Sequence, residues 1–147
     1  MIRISDIYKL NNSKDYILDT INNNWLTFTG EYVNKCEDKL KEIFKVKHVL
    51  LTNNGTSATH CIIKSIKFKY PKCNKLYIQN NCYIAAYNMA LLEFSETQLE
   101  ILPIDDNTWN LDLNYINQIE KNSALLVVHN IGNILPIQKI KELRPDI

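Results

Sequence analysis

Glycine is scarce in this 147-residue chain, which has only Gly30, Gly55 and Gly132. That scarcity removes the glycine-rich phosphate loops. No G-x-G-x-x-G follows any strand candidate, which argues against a Rossmann-type nucleotide binder, and no Gly-Lys-Ser/Thr follows Gly55 with Walker spacing. Charge of one sign is lacking too. The 17 Lys+Arg against 16 Asp+Glu leave a net charge of +1, so no strong field steers the chain to nucleic acid or to a membrane surface. The short basic patch Lys64–Lys69 reads as the solvated face of a helix end. No apolar run approaches the about 20 residues of a membrane span. The start MIRISDIYKL lacks the basic and apolar regions of a secretory signal. The four cysteines, Cys36, Cys61, Cys73 and Cys82, have no C-x-x-C spacing, and His48, His60 and His129 complete no zinc pattern, so no metal site is expected. Cys36 and Cys61 fall on apolar helix faces and read as packed free thiols. A reducing, cytoplasmic setting is the default that follows.

What is present is enough apolar material for a core, 46% of residues against 22% charged, laid out in alternation. Lys14–Asn23 carries a short helical pattern. Glu31–Phe44 is a stronger one, with Val33, Cys36, Leu40 and Phe44 at helical spacing. His48–Thr52 is a short apolar run that reads as a buried strand. An Asn53-Asn54-Gly55 turn leads into a helix over Thr56–Lys67. Lys75–Gln79 is a strand candidate, Ile84–Phe94 a helix and Gln98–Leu102 a strand. Asp112 suits the N-cap of a helix through Lys121. Ala124–His129 is an apolar strand, and Pro136 suits the start of a helix to about Leu143. Strands alternating with helices predict an α/β fold of three α/β/α layers around a mainly parallel sheet.

Three segments carry candidate chemistry. His48–Ala58 (HVLLTNNGTSA) places strand, turn and helix start in order. Free N–H groups and the positive end of the helix dipole there suit a phosphate. Gly55 lets the backbone approach an anion, and Thr56 and Ser57 add hydroxyl donors. Asn-Gly turns and Ser/Thr caps also terminate strands with no ligand at all. Asn80–Ala90 (NNCYIAAYNMA) follows the second strand at its carboxyl end, where ligands collect in open α/β sheets. Tyr83 would stand there as an aromatic able to stack on a planar ring, or equally as a core tyrosine with its hydroxyl satisfied. His129 ends an apolar strand, where a lone histidine is more often a hydrogen-bonding group than a catalyst. No serine or cysteine nucleophile has a partner in the sequence.

Taken in order, five segments resemble the DegT/DnrJ/EryC1/StrS family of sugar aminotransferases. Trp25–Lys39 (WLTFTGEYVNKCEDK) is similar to the family opening, a small-residue turn before a "YV…E" helix. His48–His60 (HVLLTNNGTSATH) resembles the "SNGTSALH" phosphate segment. Cys82–Ala90 (CYIAAYNMA) resembles "TFVATANAI", Ile101–Leu113 (ILPIDDNTWNLDL) resembles "FVDIDPDTYNID", and Leu125–Pro136 (LLVVHNIGNILP) resembles "IIPVHLYGNPAD".

The resemblance implies residues 1–147 of a fold type I large domain that binds pyridoxal 5'-phosphate, with residues 1–30 as an N-terminal arm and the small C-terminal domain absent. Family members use the cofactor, and usually glutamate, to aminate a keto group on a nucleotide-linked sugar, and they act as homodimers. Gly55, Thr56 and Ser57 match the cofactor-phosphate segment, and Tyr83 matches the aromatic that stacks on the pyridine ring. Cys82 and Ala86 stand where threonines are common, so polar contacts near the ring are expected to be lost. The acidic partner of the pyridine nitrogen and the Schiff-base lysine lie, in the family, on later segments with no counterpart here. The chain by itself is therefore expected to be inactive in transamination. Two other readings stay open: a non-catalytic remnant serving as a dimerising or ligand-binding module, and a sugar dehydratase of the same family.

Overall fold

The computed structural model describes residues 10–147, so the first nine residues of the expected N-terminal arm lie outside the described residues. The chain divides into two compact units, 1–51 and 52–147.

The described part of the first unit is two helices, α1 (Ser13–Asn22) and α2 (Glu31–Phe44), in which no residue is buried. Aromatic edges join them. The Tyr32 ring meets Tyr16 at 5.2 Å and Trp25 at 5.7 Å between centroids, both edge-on. The Tyr32 hydroxyl donates to Asp19 Oδ2 at 2.7 Å, and that bond holds its pKa up at about 12. Gly30 suits this packing, because a Cβ there would stand 3.0 Å from Trp25 Cβ and Trp25 would have to give way. The expected apolar face of α2 does not become a core: Cys36 is exposed, and Phe44 is 67% exposed.

The second unit holds α3 (Gly55–Lys69), β1 (Lys75–Gln79), α4 (Ile84–Leu91), β2 (Leu99–Leu102), β3 (Ser123–Leu126) and α5 (Ile137–Leu143). The three strands are parallel in the order β2-β1-β3. Leu76 pairs with Leu99 and Ala124, and Ile78 with Ile101 and Leu126. Being central, β1 is buried on both faces from Leu76 to Gln79, which suits the apolar run Leu76-Tyr77-Ile78. Leu76 and Ile78 face one core with Ile63 of α3, Ala90 of α4 and Phe94 just past α4. Tyr77 faces the other, with Ile116, Ile119, Leu135 and Ile140 of α5. Fully burying a side chain such as Ile78 contributes roughly 1.5–3 kcal/mol. The link from β1 to β2 uses the α4 face. The link back across β1 to β3 uses the other face, through a 3-10 segment at Leu113–Gln118. Opposite directions on opposite faces are what a common crossover hand requires. The three layers of the sequence reading are thus present.

Four expectations need correction. His48–Thr52 is not a strand: no ladder partner meets it among the described residues, the Leu51 amide donates to Glu37 Oε1 at 3.1 Å instead, and Leu50 is 75% exposed. An apolar run becomes a strand only where an edge accepts it. The helix expected after Asp112 is the 3-10 segment. Asp112 does cap it, accepting from the Asn114 amide at 2.9 Å, but Asn, Tyr and Ile are weak helix formers and Ile119 must turn into the core. The strand expected over Ala124–His129 leaves the ladder after Leu126, because the Val128 amide turns to Gln79 Oε1. Cys61 is exposed rather than packed, since α3 buries Ile63 while Cys61 and Ile62 point away.

Candidate functional site

Helices α3 and α4 pack side by side. Each leads into the amino end of a strand, α3 into β1 and α4 into β2, so both begin at the carboxyl end of the sheet. That end is where open parallel sheets bind ligands. Lower down, His60 Nε2 and Glu93 Oε1, 3.0 Å apart, and the Lys67 ammonium, 3.8 Å from the Phe94 ring centroid, tie α3 to the turn after α4.

The start of α3 has unspent donors. Asn54 is its N-cap, in extended conformation, and its Oδ1 accepts from the Ser57 amide at 2.8 Å. The Ala58 amide reaches Asn54 O at 3.2 Å. The amides of Gly55 and Thr56 meet no acceptor among the described residues. No acidic residue stands in the first turn, so the helix dipole, about half a positive charge at this end, is uncompensated. Gly55 is exposed, with nothing within 4 Å of the place a Cβ would take. Thr56 and Ser57 are half-buried. The Ser57 amide is taken by the cap, so what Ser57 offers is the hydroxyl expected of it.

Tyr83 is the residue before α4. Its backbone is extended, and its carbonyl accepts from the Ala86 amide at 2.9 Å. Its ring is 79% exposed, so it is not a core tyrosine. Among the described residues no hydrogen bond joins it to residues 55–57; what they share is the end of the sheet. Beside it, burial pushes the Cys82 thiol up to about 11, and Ala86 is buried. His129 is a structural group: its Nδ1 accepts from the Leu135 amide at 3.0 Å.

The sequence reading missed a cluster of side-chain amides across this end. Gln79 is fully buried. Its Oε1 accepts from the Val128 amide at 3.1 Å, and its Nε2 donates to Asn81 Oδ1 at 2.7 Å. Asn81 Nδ2 donates to Trp109 O at 2.7 Å. Asn130 Nδ2 donates to Asn81 O at 3.3 Å, and Asn133 Nδ2 to Thr108 O. The only sequence signal was a glutamine closing an apolar strand.

A parallel sheet with helices on its faces, carrying a bare helix start and an exposed aromatic at its carboxyl end, places the chain among open-sheet α/β domains. The sequence pattern of the DegT/DnrJ/EryC1/StrS aminotransferase family matches residues 9–146, and the chain belongs to that family. It is similar to the GDP-perosamine synthase of Vibrio cholerae, 26% identical over 137 residues that make 90% of this chain and 35% of that protein. It is also similar to the GDP-perosamine synthase of Caulobacter vibrioides, 25% identical over 138 residues. Among solved structures, Helicobacter pylori PseC, an aminotransferase involved in the biosynthesis of pseudoaminic acid, matches with a TM-score of 0.80 at 20% identity, over 97% of this chain and 38% of that one. The Escherichia coli GDP-4-keto-6-deoxy-D-mannose-3-dehydratase with bound hydrated PLP matches with a TM-score of 0.79 at 21% identity, over 97% and 37%. At those identities the structures show the fold. The chain spans about a third of the length of these relatives.

Proposed function

We propose that this chain supplies the phosphate-binding and ring-stacking part of a pyridoxal 5'-phosphate site in a sugar-nucleotide aminotransferase of the cytoplasm. The observation that carries this is the start of α3, where the Gly55 and Thr56 amides meet no acceptor among the described residues, in a segment similar to the family's phosphate segment. Those amides, with the Thr56 and Ser57 hydroxyls, take the phosphate oxygens. The exposed Tyr83 ring stacks on the pyridine. When bound, the cofactor supplies the electron sink that amino transfer needs. The chain's residues bind it and fix its plane. The relatives named for GDP-perosamine point to a keto sugar on a guanosine diphosphate as amino acceptor, with glutamate as donor. The dehydratase reading rests on likeness of fold alone, and no residue here favours it. The proposed enzyme acts as a homodimer; Leu26 and Phe28 in the segment before α2, 67% and 89% exposed, supply apolar surface for a partner.

The test is a titration of the 147-residue chain with pyridoxal phosphate and with pyridoxal, which lacks the phosphate. Pyridoxal phosphate binding several-fold tighter, with Thr56→Val weakening it but leaving pyridoxal unchanged, is the expected result. Equal affinity for the two ligands would overturn the phosphate assignment.

A further inference from the structure

We propose that Asn81 is a positioning residue that fixes Tyr83 for the planar ring of the cofactor. The inference deepens the reading above and rests on it. The relay through Asn81 begins at a backbone donor, the Val128 N–H, and ends at a backbone acceptor, the Trp109 carbonyl. Between them stand only the Gln79 and Asn81 amides. A backbone N–H cannot accept and a carbonyl cannot donate, so the chain of bonds has one possible polarity, and both amide orientations are set by it. Gln79 is fully buried, which keeps water from replacing it.

Asn81 is gripped at its main chain too, where its carbonyl accepts from Asn130. On either side, the Asn80 amide donates to Leu102 O at 2.9 Å and the Tyr87 hydroxyl donates to Gln79 O at 2.7 Å. The link from β1 to α4 is thereby fastened to the ends of β2 and β3 and to α4 itself. Tyr83 stands two residues beyond Asn81 and is 79% exposed, the aromatic of the link that projects. An aromatic that must meet another ring in a fixed plane needs its backbone held by surrounding groups. Asn81 does this without touching the ligand.

The experiment uses the 147-residue chain, its Asn81→Ala, Gln79→Glu and Tyr83→Ala variants and the Asn81→Ala/Tyr83→Ala double variant. Each is titrated with pyridoxal phosphate and with inorganic phosphate. Inorganic phosphate reads the start of α3 alone. Asn81→Ala should weaken pyridoxal phosphate about three- to ten-fold, the lower part of the range of coupling between neighbouring groups, and leave inorganic phosphate unchanged. In the Tyr83→Ala background it should cost nothing more. Gln79→Glu sets two acceptors face to face and should behave as Asn81→Ala does. The Tyr83 ring resonances in tyrosine-labelled protein, recorded without ligand, should shift or broaden in Asn81→Ala while those of Tyr16 stay in place. If Asn81→Ala does not fold, Asn81→Asp takes its role, since it keeps the acceptor for Gln79 and loses the donor to Trp109. Wild-type affinity in the variant, an equal loss in the Tyr83→Ala background, or unchanged Tyr83 resonances would each overturn the proposal. A wild-type chain that does not prefer pyridoxal phosphate over inorganic phosphate overturns the functional reading alone, and the Tyr83 resonances then decide the positioning role by themselves.

Discussion

At the scale of the residue, the site positions legible in the sequence were those whose chemistry depends on local order. Asn54, Gly55, Thr56 and Ser57 announce a helix start because caps and turns are written in three or four adjacent residues. Gln79 and Asn81 were not legible, because their partners Val128 and Trp109 lie 49 and 28 positions away. The cysteines show the same limit. Apolar spacing placed Cys36 and Cys61 in a core, yet both are exposed, while Cys73 is buried and Cys82 half-buried. Burial raises the pKa of Cys73, and that of Cys82 to about 11. At pH 8 a thiol with a pKa of about 11 is thiolate in about one molecule in a thousand. A thiol-exchange reagent such as DTNB should therefore modify Cys36 and Cys61 quickly and Cys73 and Cys82 slowly, with all four equalising in denaturant. Fast modification of Cys82 in the folded chain, mapped by mass spectrometry, would contradict the burial of the link beneath Tyr83.

At the scale of the element, β1 and the helices α1 to α4 were legible because each carries its own periodicity. The bounds of α2 and β1 fall where the spacing put them. His48–Thr52 was misread because strand formation is settled by a neighbour, which periodicity does not encode. The junction between α5 and the 3-10 segment is another case of contact without pattern. Arg144, just past α5, donates from Nη1 to the carbonyls of Ile116 and Ile119 at 3.0 and 2.6 Å. It also forks onto both carboxylate oxygens of Asp146 at 2.8 Å. Its side chain is 12% exposed, so removing it leaves those carbonyls short of a donor. Arg144→Ala should destabilise the chain by about 2–3 kcal/mol in chemical denaturation. Arg144 also holds the Asp146 carboxyl down at about 2, below its ordinary 3.8. For a depressed carboxyl the stabilisation is complete above the unfolded pKa and fades as pH falls through the folded one. The pair's contribution is thus present above about pH 4 and lost toward pH 2. In that window the stability of Asp146→Asn should fall less steeply with decreasing pH than that of the wild type; parallel curves would show that the fork does not couple to folding.

At the scale of the molecule, the sequence resemblance reached the family because motif order survives where individual contacts do not. The same scale sets what the 147-residue chain does alone. A cofactor-bound amino transfer needs a lysine amine that is nucleophilic near neutral pH, hence one with a depressed pKa. Among the described residues, the lysines whose pKa departs from the ordinary value, Lys39, Lys41 and Lys75, are all raised, each by hydrogen bonds to carboxylates. Lys75, 24% exposed, sits between Glu120 and Glu100 at the amino end of the sheet, opposite the end where Tyr83 stands. The sequence resemblance implies that the Schiff-base lysine lies on a later segment of the family, so no lysine here is expected to take that role. The sheet adds a second constraint. The outer edges of β2 and β3 pair with no strand among the described residues, Ile101 on β2 is 51% exposed, and a groove of about 800 Å³ runs past Ile66, Ala124 and Leu125 beside β3. Open apolar edges pair with one another. The isolated chain should therefore self-associate as its concentration rises, hold pyridoxal phosphate through phosphate and stacking contacts, and transfer no amino group from glutamate to a GDP-linked keto sugar. Sedimentation should show the association, with Ile101→Lys weakening it by placing a charge on the β2 edge. Borohydride reduction with the cofactor present, followed by peptide mapping, should label lysines at low and scattered levels. A single lysine labelled stoichiometrically, together with measurable amino transfer, would show that an amine in this chain, its own or a second copy's, reaches the cofactor after all.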